Sequence, residues 1–442
     1  MTERALPSPD YVARRTAIMD RLGGDAALIV PAAPEVVIGR DLDVRYRPAP
    51  DLLYLTGLHE PEAVAVFCPA NVESPFTLFA RQRDPERERW TGPRLGPEAA
   101  GELAGATAAH PIQALEEKLF DLVKDVDTIY FRLDCGRPEV ERAVMRLLMR
   151  GRQRRQRTGM GPVRLVDAGV IMDEIRLVKD DAEIAMLRAA ASVSAEGFRA
   201  GAAAIRPGAG EWVVEAAIEG AFRSRGAYGP AFATIVASAN NATVLHYIDN
   251  SRTMQAGELV LIDAGAQVDG YNGDISRTYP VSGTFTGVQR ELYEVVLAAH
   301  DAAISAVRPG IAFDEVHRAA VAALVTGMIA AGLLDGDGDT ILEQEERYRP
   351  FYPHRTSHWL GLDVHDVGDY ALVDGPRLLR PGMVLTIEPG LYIPADQEGV
   401  PGAMRGMGIR LEDDVLVTES GAEILTAELP IRPDDVEAMV GR

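Results

Sequence analysis

Short apolar runs alternate with amphipathic stretches over the first third of the chain. Four runs are β-like and one is helix-like: DAALIVPAAPEVVI, EAVAVFCP, PFTLFA and VDTIYFRL, then ERAVMRLLMR. This alternation predicts an α/β domain. The polar, basic stretch GRQRRQRTGMGP follows at 151–162. We interpret it as an exposed surface segment near a domain boundary, with a nucleic-acid or targeting patch as the alternative.

The hydrophobic pattern changes at Lys179. The stretch KDDAEIAMLRAAASVSAEGFRAGAAAI predicts a long helix, in which Asp180 is placed as the N-cap and Glu183 as its capping-box partner. A domain boundary just before this helix divides the chain into residues 1–174 and residues 175–442.

The second part of the chain contains a weak internal repeat. AAAIRPGAGEWVVEAAI at 202–218 is similar to AISAVRPGIAFDEVHRAA at 303–320, and in both a helix ends near Arg-Pro-Gly before another begins. GELVLIDAG at 257–265 aligns with GMVLTIEPG at 382–390. A duplicated helix–helix–strand unit would place the acids that end these strands, Asp263 and Glu388, in pseudo-equivalent positions.

The segment ELVLIDAGAQVDGYNGDISRTYPV predicts an antiparallel hairpin, because two β-like runs flank Asp269-Gly270. A loop centred on Val268 and Asp269 would set Asp263 directly opposite Asp274. Like charges so opposed are destabilising, and a bound cation would explain the pair. A bulge that turns one aspartate outward, or local donors that satisfy both, is the alternative.

Two further acids extend this set. Pro389-Gly390 stops the repeated strand directly after Glu388. The alternation in MGIRLEDDVLVT at 407–418 predicts a half-buried strand with Arg410, Glu412 and Asp414 on its polar face. Four carboxylates and one imidazole could bind two divalent ions, and a single histidine among oxygen donors favours manganese, iron, cobalt or zinc over calcium or copper.

Composition and charge exclude several classes of protein. Acidic residues outnumber basic ones by 66 to 45, a formal charge of −21. This argues against nucleic acid or an anionic membrane as a partner. Cys68 and Cys135 form no C-x-x-C pair, the N-terminal MTERALPSPD lacks a signal-peptide pattern, and no run of about 18 apolar residues occurs. We therefore expect a cytoplasmic protein.

Read together, these elements resemble the metal-dependent aminopeptidase P family of X-prolyl aminopeptidases, within the methionine aminopeptidase, prolidase and creatinase group. The matching segments run over almost the whole chain: EPEAVAVF, RQRDPERERWTGPRLG, LHY, LVLIDAG, GYNGDISRTYPV, SHWLGLDVHDVG, GMVLTIEPGLY and GIRLEDD. The resemblance implies an N-terminal creatinase-like α/β domain and a C-terminal catalytic domain with the duplicated α/β pita-bread fold.

The resemblance also implies a set of metal ligands. Asp263 matches a ligand of one metal ion, Asp274 and Glu412 match two bridging carboxylates, and His358 and Glu388 match the remaining ligands of the other ion. We expect two Mn²⁺ ions, with Zn²⁺, Co²⁺ or Fe²⁺ as alternatives. The implied mechanism is attack by a metal-bridging hydroxide, with Glu388 also acting as general base.

Other residues match substrate contacts. The stretch HRTSHWLGLDVHDVG at 354–368 holds three of the eight histidines. His365, like His246, matches a histidine that meets the scissile carbonyl or the proline side of the substrate. His354 matches a member of the surrounding hydrogen-bond network, and Arg410 a contact behind the metal ligands or at the product end. A packed core position is the alternative for His246 and His358.

The activity implied is hydrolysis of the bond between an N-terminal residue and a following proline. Prolidase activity on X-Pro dipeptides and a metal-free peptide-binding pseudoenzyme are the alternatives. One departure from the family is Arg355, where members commonly have glycine. The resemblance further implies a homodimer or homotetramer in which Trp90 helps close a neighbour's site; a partly buried core position is the alternative for Trp90.

Overall fold

The computed structural model describes residues 6–133 and 135–441, so the first five residues of the N-terminal segment discussed above lie outside it. The chain divides into two compact units, Ser8–Arg176 and a second that contains Leu177–Arg442. Helix Gly169–Leu177 includes this division at its last residue, and the predicted boundary after residue 174 also falls within the helix. Among the described residues, no helix is long and apolar enough to cross a membrane.

The N-terminal unit is built on one mixed sheet. Its strands are β1 (Ala26–Pro31), β2 (Val37–Ile38), β3 (Leu42–Asp43), β4 (Val64–Phe67), β5 (Phe76–Ala80), β6 (Ala108–Pro111), β7 (Thr128–Phe131) and β8 (Arg164–Val166). Its helices are α1 (Tyr11–Leu22), α2 (Pro50–Thr56), α3 (Pro85–Thr91), α4 (Gly96–Ala104), α5 (Leu115–Val123), α6 (Pro138–Thr158) and α7 (Gly169–Leu177). The six-stranded sheet has the order β6-β5-β4-β1-β7-β8, in which β1 is antiparallel to β4 and parallel to β7.

The apolar runs read from the sequence form the centre of this sheet. Ile29, Val66 and Phe79 come from three neighbouring strands and share one buried core with Leu119 of α5 and Val144 of α6. The basic stretch at 151–162 is mostly the last part of α6 and is mostly exposed. The helix therefore continues through the basic residues and ends at Gly159, which has a positive φ of 77°.

The second unit contains the predicted repeat. Its helices are α8 (Asp181–Ala204), α9 (Glu211–Ser224), α10 (Gly287–Ala306), α11 (Phe313–Ala330), α12 (Gly338–Glu343), α13 (Glu345–Tyr348) and α14 (Pro433–Met439). Its strands are β9 (Gly229–Pro230), β10 (Ile235–Ser238), β11 (Leu259–Ala264), β12 (Ala266–Val268), β13 (Tyr271–Asn272), β14 (Ile275–Pro280), β15 (Ala371–Leu372), β16 (Gly375–Pro376), β17 (Val384–Ile387), β18 (Gly390–Ile393), β19 (Met407–Arg410), β20 (Asp413–Val417) and β21 (Ala422–Ile424).

Each repeat is a helical pair followed by a short antiparallel sheet. The pair α8–α9 precedes the sheet β10-β11-β14, and the pair α10–α11 precedes the sheet β17-β20-β21. Helix α8 begins where the sequence predicts, and α9 and α11 begin a few residues after the two Arg-Pro-Gly stretches, as expected. Asp180 and Glu183 form a capping box on α8, and Thr286 and Gln289 form another on α10. This duplicated mixed α/β architecture agrees with the expected pita-bread fold.

The hairpin β11–β14 is present, but its predicted register is wrong. Residue pairs run Asp263↔Ser276 and Val268↔Tyr271, so the turn centres on Asp269 and Gly270. Both turn residues have positive φ, 47° and 89°, as a type I′ turn requires. Asp263 and Asp274 are therefore diagonal neighbours on one face of the hairpin, not directly opposed residues.

The prediction of one half-buried strand at 407–418 is also wrong. This segment is two strands, β19 and β20, broken at Leu411 and Glu412, and both faces are buried. At the break, an isolated bridge pairs Glu412 with Ser276 of β14. This bridge joins the strands of the two repeats and brings their acids together.

Candidate active site

Four acids converge from the ends of four strands; Asp263, Asp274 and Glu412 are buried and Glu388 is half-buried. Asp263 is the last residue but one of β11, and Asp274 directly precedes β14. Glu388 directly follows β17, and Glu412 directly precedes β20. Because the strand pairs β11–β14 and β17–β20 are related by the repeat and joined at Ser276 and Glu412, the strand ends meet in one place. Local backbone bonds fix the acids there; the Glu388 amide, for example, donates to the Thr356 carbonyl at 2.8 Å.

His358 completes this group. One ligand atom from each of Asp274, His358 and Glu412 lies within 4.8 Å of the other two. The His358 Nε2 atom is 3.4 Å from Asp274 Oδ2 and 3.6 Å from Glu388 Oε1. Asp263, the fourth acid, has Oδ2 2.5 Å from the Arg410 guanidinium.

The tautomer of His358 is set by its backbone neighbour. Nδ1 lies 3.0 Å from the carbonyl oxygen of Trp359. A carbonyl oxygen only accepts, so Nδ1 carries the proton that is donated, and Nε2 faces the carboxylates. A histidine that binds a metal through one ring nitrogen commonly donates its other N–H in this way.

Crowding of the acids perturbs their protonation. Burial raises the pKa of Asp274 to about 6 and the pKa of Glu388 to about 7, and the charge on Asp263 acts in the same direction on both. Burial, followed by the charge on Asp274, holds the pKa of Glu412 well above its usual range. Burial alone would lower the pKa of His358, but its hydrogen bond with Asp274 and the charges of Glu388 and Asp274 raise it to about 9. Without a further positive charge, this group costs stability.

A hydrogen-bond chain runs behind the acids from Arg410. The buried guanidinium donates to Asp263, to Ser276 Oγ at 2.9 Å and to the Tyr392 hydroxyl at 2.9 Å. The Tyr392 hydroxyl is 2.8 Å from His354 Nε2, and His354 Nδ1 is 2.8 Å from the Arg355 carbonyl oxygen. That carbonyl accepts, so His354 Nδ1 carries a proton and Nε2 accepts from Tyr392. Burial, aided by the charge on Arg410, lowers the pKa of His354 to about 3, which keeps the ring neutral.

The acids form the floor of a cavity of about 820 Å³. His246 and His365 are both exposed and line it, and the rings of His365 and His358 are 4.4 Å apart in an edge-to-face arrangement. The packed-core alternative for His246 is therefore wrong. Burial, aided by a charge on His358, lowers the pKa of His365. The cavity thus contains all the predicted site residues: His246, Asp263, Asp274, His354, His358, His365, Glu388, Arg410 and Glu412.

Comparison with known proteins agrees with this site. Residues 185–419 match Metallopeptidase family M24, and residues 11–130 match Aminopeptidase P, N-terminal domain. The chain is 40% identical to the Xaa-Pro aminopeptidase of Escherichia coli (strain K12) over 437 residues, which cover 98% of this chain and 97% of that relative. The structure of Pseudomonas aeruginosa aminopeptidase PepP covers 98% of both chains, with a TM-score of 0.94 and 39% identity.

The chain belongs to the Xaa-Pro aminopeptidases of metallopeptidase family M24. It is a hydrolase of the metallopeptidase class. A further match, Escherichia coli aminopeptidase P with the inhibitor Pro-Leu, has a TM-score of 0.92 and 40% identity and covers 98% of both chains.

The acid group of this Xaa-Pro aminopeptidase fits divalent metal ions. Its donors are carboxylate oxygens and one imidazole, the set expected for hard to borderline divalent metals. Among the described residues, Oδ1 of Asp263 is buried without a hydrogen-bond partner, and it belongs to this group. A bound cation would satisfy that oxygen and offset the repulsion among the four acids.

Two polar residues of the site were not singled out from the sequence. Ser276 Oγ donates to Glu412 at 2.9 Å, and Tyr392 links Arg410 to His354. A signal was available for both. Ser276 lies two residues beyond Asp274 and so shares its face of the hairpin, and Tyr392 follows the EPG turn at Glu388. The apolar cavity wall, which includes Phe232, gives no such signal because separate loops form it.

Proposed function

We propose that this chain removes the N-terminal residue from peptides that have proline at the second position, using two divalent metal ions. The observation that carries this proposal is the group of four carboxylates and His358 at the floor of a cavity whose wall bears His246 and His365. The Xaa-Pro aminopeptidase of Escherichia coli and the other relatives support the substrate class.

The metal-binding residues would be the five identified from the sequence. Asp263, Asp274, His358, Glu388 and Glu412 would together hold the ions. Bound divalent ions supply Lewis acidity, which polarises a carbonyl and lowers the pKa of water towards neutrality. Manganese is our proposal for the native metal, with zinc, cobalt or iron as alternatives.

The remaining steps belong to side chains. Glu388 accepts the proton of the attacking water and passes it to the leaving proline nitrogen. His365 and His246 project into the cavity, where an imidazole N–H can donate to the oxygen that gains negative charge when the carbonyl is attacked. Arg410, Tyr392 and His354 hold this region by one chain of hydrogen bonds.

The chemistry of proline explains why a dedicated enzyme is needed to cleave an X-Pro bond. The nitrogen of an X-Pro bond has no N–H, and the ring fixes φ, so a peptidase that orients its substrate through that N–H handles the bond poorly. In the proposed site, the acidic floor holds the free amine of the first residue. Cleavage therefore occurs one residue from the N-terminus.

The wider setting is also a proposal. Both cysteines, Cys68 and Cys135, are free thiols, which supports a reducing compartment, and we propose the cytoplasm. Neither nucleic acid nor a membrane is proposed as a partner, because the net charge is −21. We further propose a homodimer or homotetramer.

Release of the first residue from Arg-Pro-Pro, compared with Ala-Pro, tests the proposal. The protein is stripped with a chelator and assayed before and after manganese is restored. We expect tripeptide cleavage to return with the metal and the dipeptide to remain nearly untouched. Preference for the dipeptide would favour prolidase, and failure of the stripped protein to rebind any metal would favour a peptide-binding pseudoenzyme.

A further inference from the structure

Arg355 differs from the other arginine on the cavity wall. Arg410 is buried and its guanidinium is ion-paired with Asp263. Arg355 is exposed and lines the same cavity, yet its guanidinium makes no hydrogen bond or ion pair with any residue in the described ranges. Its backbone oxygen accepts from His354 Nδ1. The cavity therefore presents one arginine whose charge is available to a ligand.

Arg355 lies between the proposed general base Glu388 and helix α11. Its neighbour His354 lies 3.6 Å from Glu388 through Nδ1. On the other side is α11, where burial, aided by the charge on Arg355, lowers the pKa of His317 to about 4. His317 is therefore neutral at pH 7 and does not compete with Arg355 for an anion.

The acidic cavity floor and the Arg355 guanidinium attract groups of opposite charge. Four carboxylates at the floor attract the amine of a peptide and, until they are neutralised, repel its carboxylates. A guanidinium on the wall provides a place for a negative group. Its planar fork matches a carboxylate with two parallel hydrogen bonds, which a lysine cannot reproduce.

We propose that Arg355 determines specificity by binding a carboxylate on the proline side of the substrate. The inference rests on the proposed function and deepens it. Two groups have this chemistry: the C-terminal carboxylate of a tripeptide and an acidic side chain at the third position. A tripeptide spans at most roughly 10–11 Å, so its C-terminal carboxylate stays near the site that binds its amine.

Three substrates separate these sources. Ala-Pro-Ala carries only the terminal carboxylate, Ala-Pro-Asp-NH2 only the side-chain carboxylate, and Ala-Pro-Ala-NH2 neither. For Arg355→Gln we expect the KM of one carboxylate-bearing substrate or both to rise roughly tenfold, the loss of a charge-assisted hydrogen bond, with kcat nearly unchanged. The KM for Ala-Pro-Ala-NH2 should not change. Arg355→Lys should restore part of the loss.

Arg349→Gln is the matched control, because Arg349 is an exposed arginine shortly before Arg355 in the chain and does not line the cavity. It should leave all three KM values unchanged. An equal KM increase for all three substrates in Arg355→Gln would overturn the inference, since the effect would then be structural. No change for any substrate would also overturn it.

A binding measurement separates this inference from the proposed function. Calorimetric titration of the manganese-loaded protein with Pro-Ala and Pro-Ala-NH2 needs no turnover. We expect the wild type to bind Pro-Ala more tightly, and Arg355→Gln to lose that preference. Wild-type protein that binds both equally would overturn the role of Arg355 even if peptides were cleaved. Lack of cleavage with the preference intact would contradict only the proposed function.

Discussion

His358 and His365 lie seven residues apart and face the same cavity, but their surroundings differ. The Nδ1 of His358 is fixed by the Trp359 carbonyl, and its Nε2 points at carboxylates. His365 is exposed, and its ring contacts His358 by an edge. We expect His358→Ala to lose bound metal. His365→Ala should keep its metal and lower kcat roughly a hundredfold, the size of effect seen when one donor to a developing oxyanion is removed.

Metal content by atomic emission and kcat on Arg-Pro-Pro, measured on the same preparations, check this pair. His59→Ala is a suitable control, because His59 is exposed in the N-terminal unit. It should change neither quantity. Metal loss in His365→Ala would contradict its assignment to the substrate.

At the scale of elements, helix boundaries were predicted correctly from local sequence signals, whereas the register of paired strands was not. The α8 capping box and the two helix breaks at Arg-Pro-Gly are local and were predicted correctly. The register of β11 and β14 was not, because a shift of the turn centre by one residue changes every opposed pair by two. The β19–β20 alternation misled for another reason: both faces are buried, so its polar residues do not face solvent. Arg410 and Glu412 line the cavity, and Asp414 is buried outside its lining.

The corrected hairpin contains a close backbone approach beside the acids. A Cβ atom added at Gly265 would lie 1.6 Å from the carbonyl oxygen of Gly273. Gly265→Ala must therefore push apart the strand ends that carry Asp263 and Asp274. We expect a loss of about 1–3 kcal/mol in the free energy of unfolding, as for overpacking, together with weaker metal binding. Urea denaturation and metal titration measure the two effects.

A second glycine serves as the control for this prediction. Gly220 lies inside α9, and a Cβ added there would meet nothing within 4 Å. Gly220→Ala should stabilise the helix by up to about 1 kcal/mol and leave the metal affinity unchanged. A Gly265→Ala protein as stable as the wild type would mean that the two strands are not held in this register.

At the scale of the whole molecule, the N-terminal unit has a cluster of apolar side chains that are exposed to solvent in the single chain. Val36, Val37, Ile38 and Leu42 are exposed together on or beside the small hairpin β2–β3. Trp90 is 86% exposed, so the partly buried core alternative for this residue is wrong. Exposed apolar patches of this kind mark interaction surfaces. They support the proposed homodimer or homotetramer, which the sequence suggested only through family resemblance.

Light scattering, which measures the molar mass in solution, tests the proposed homodimer or homotetramer. The wild type should have the mass of two or four chains, and Ile38→Asp should shift it towards one, because a buried unpaired carboxylate disfavours an apolar interface. Val72→Asp is the control; Val72 is 90% exposed but lies away from the hairpin in sequence.

If Trp90 closes a neighbour's site, Ile38→Asp should also raise the KM for Arg-Pro-Pro at low protein concentration, and Trp90→Ala should raise this KM without changing the mass. A monomeric wild type with full activity would contradict both the assembly and the role of Trp90.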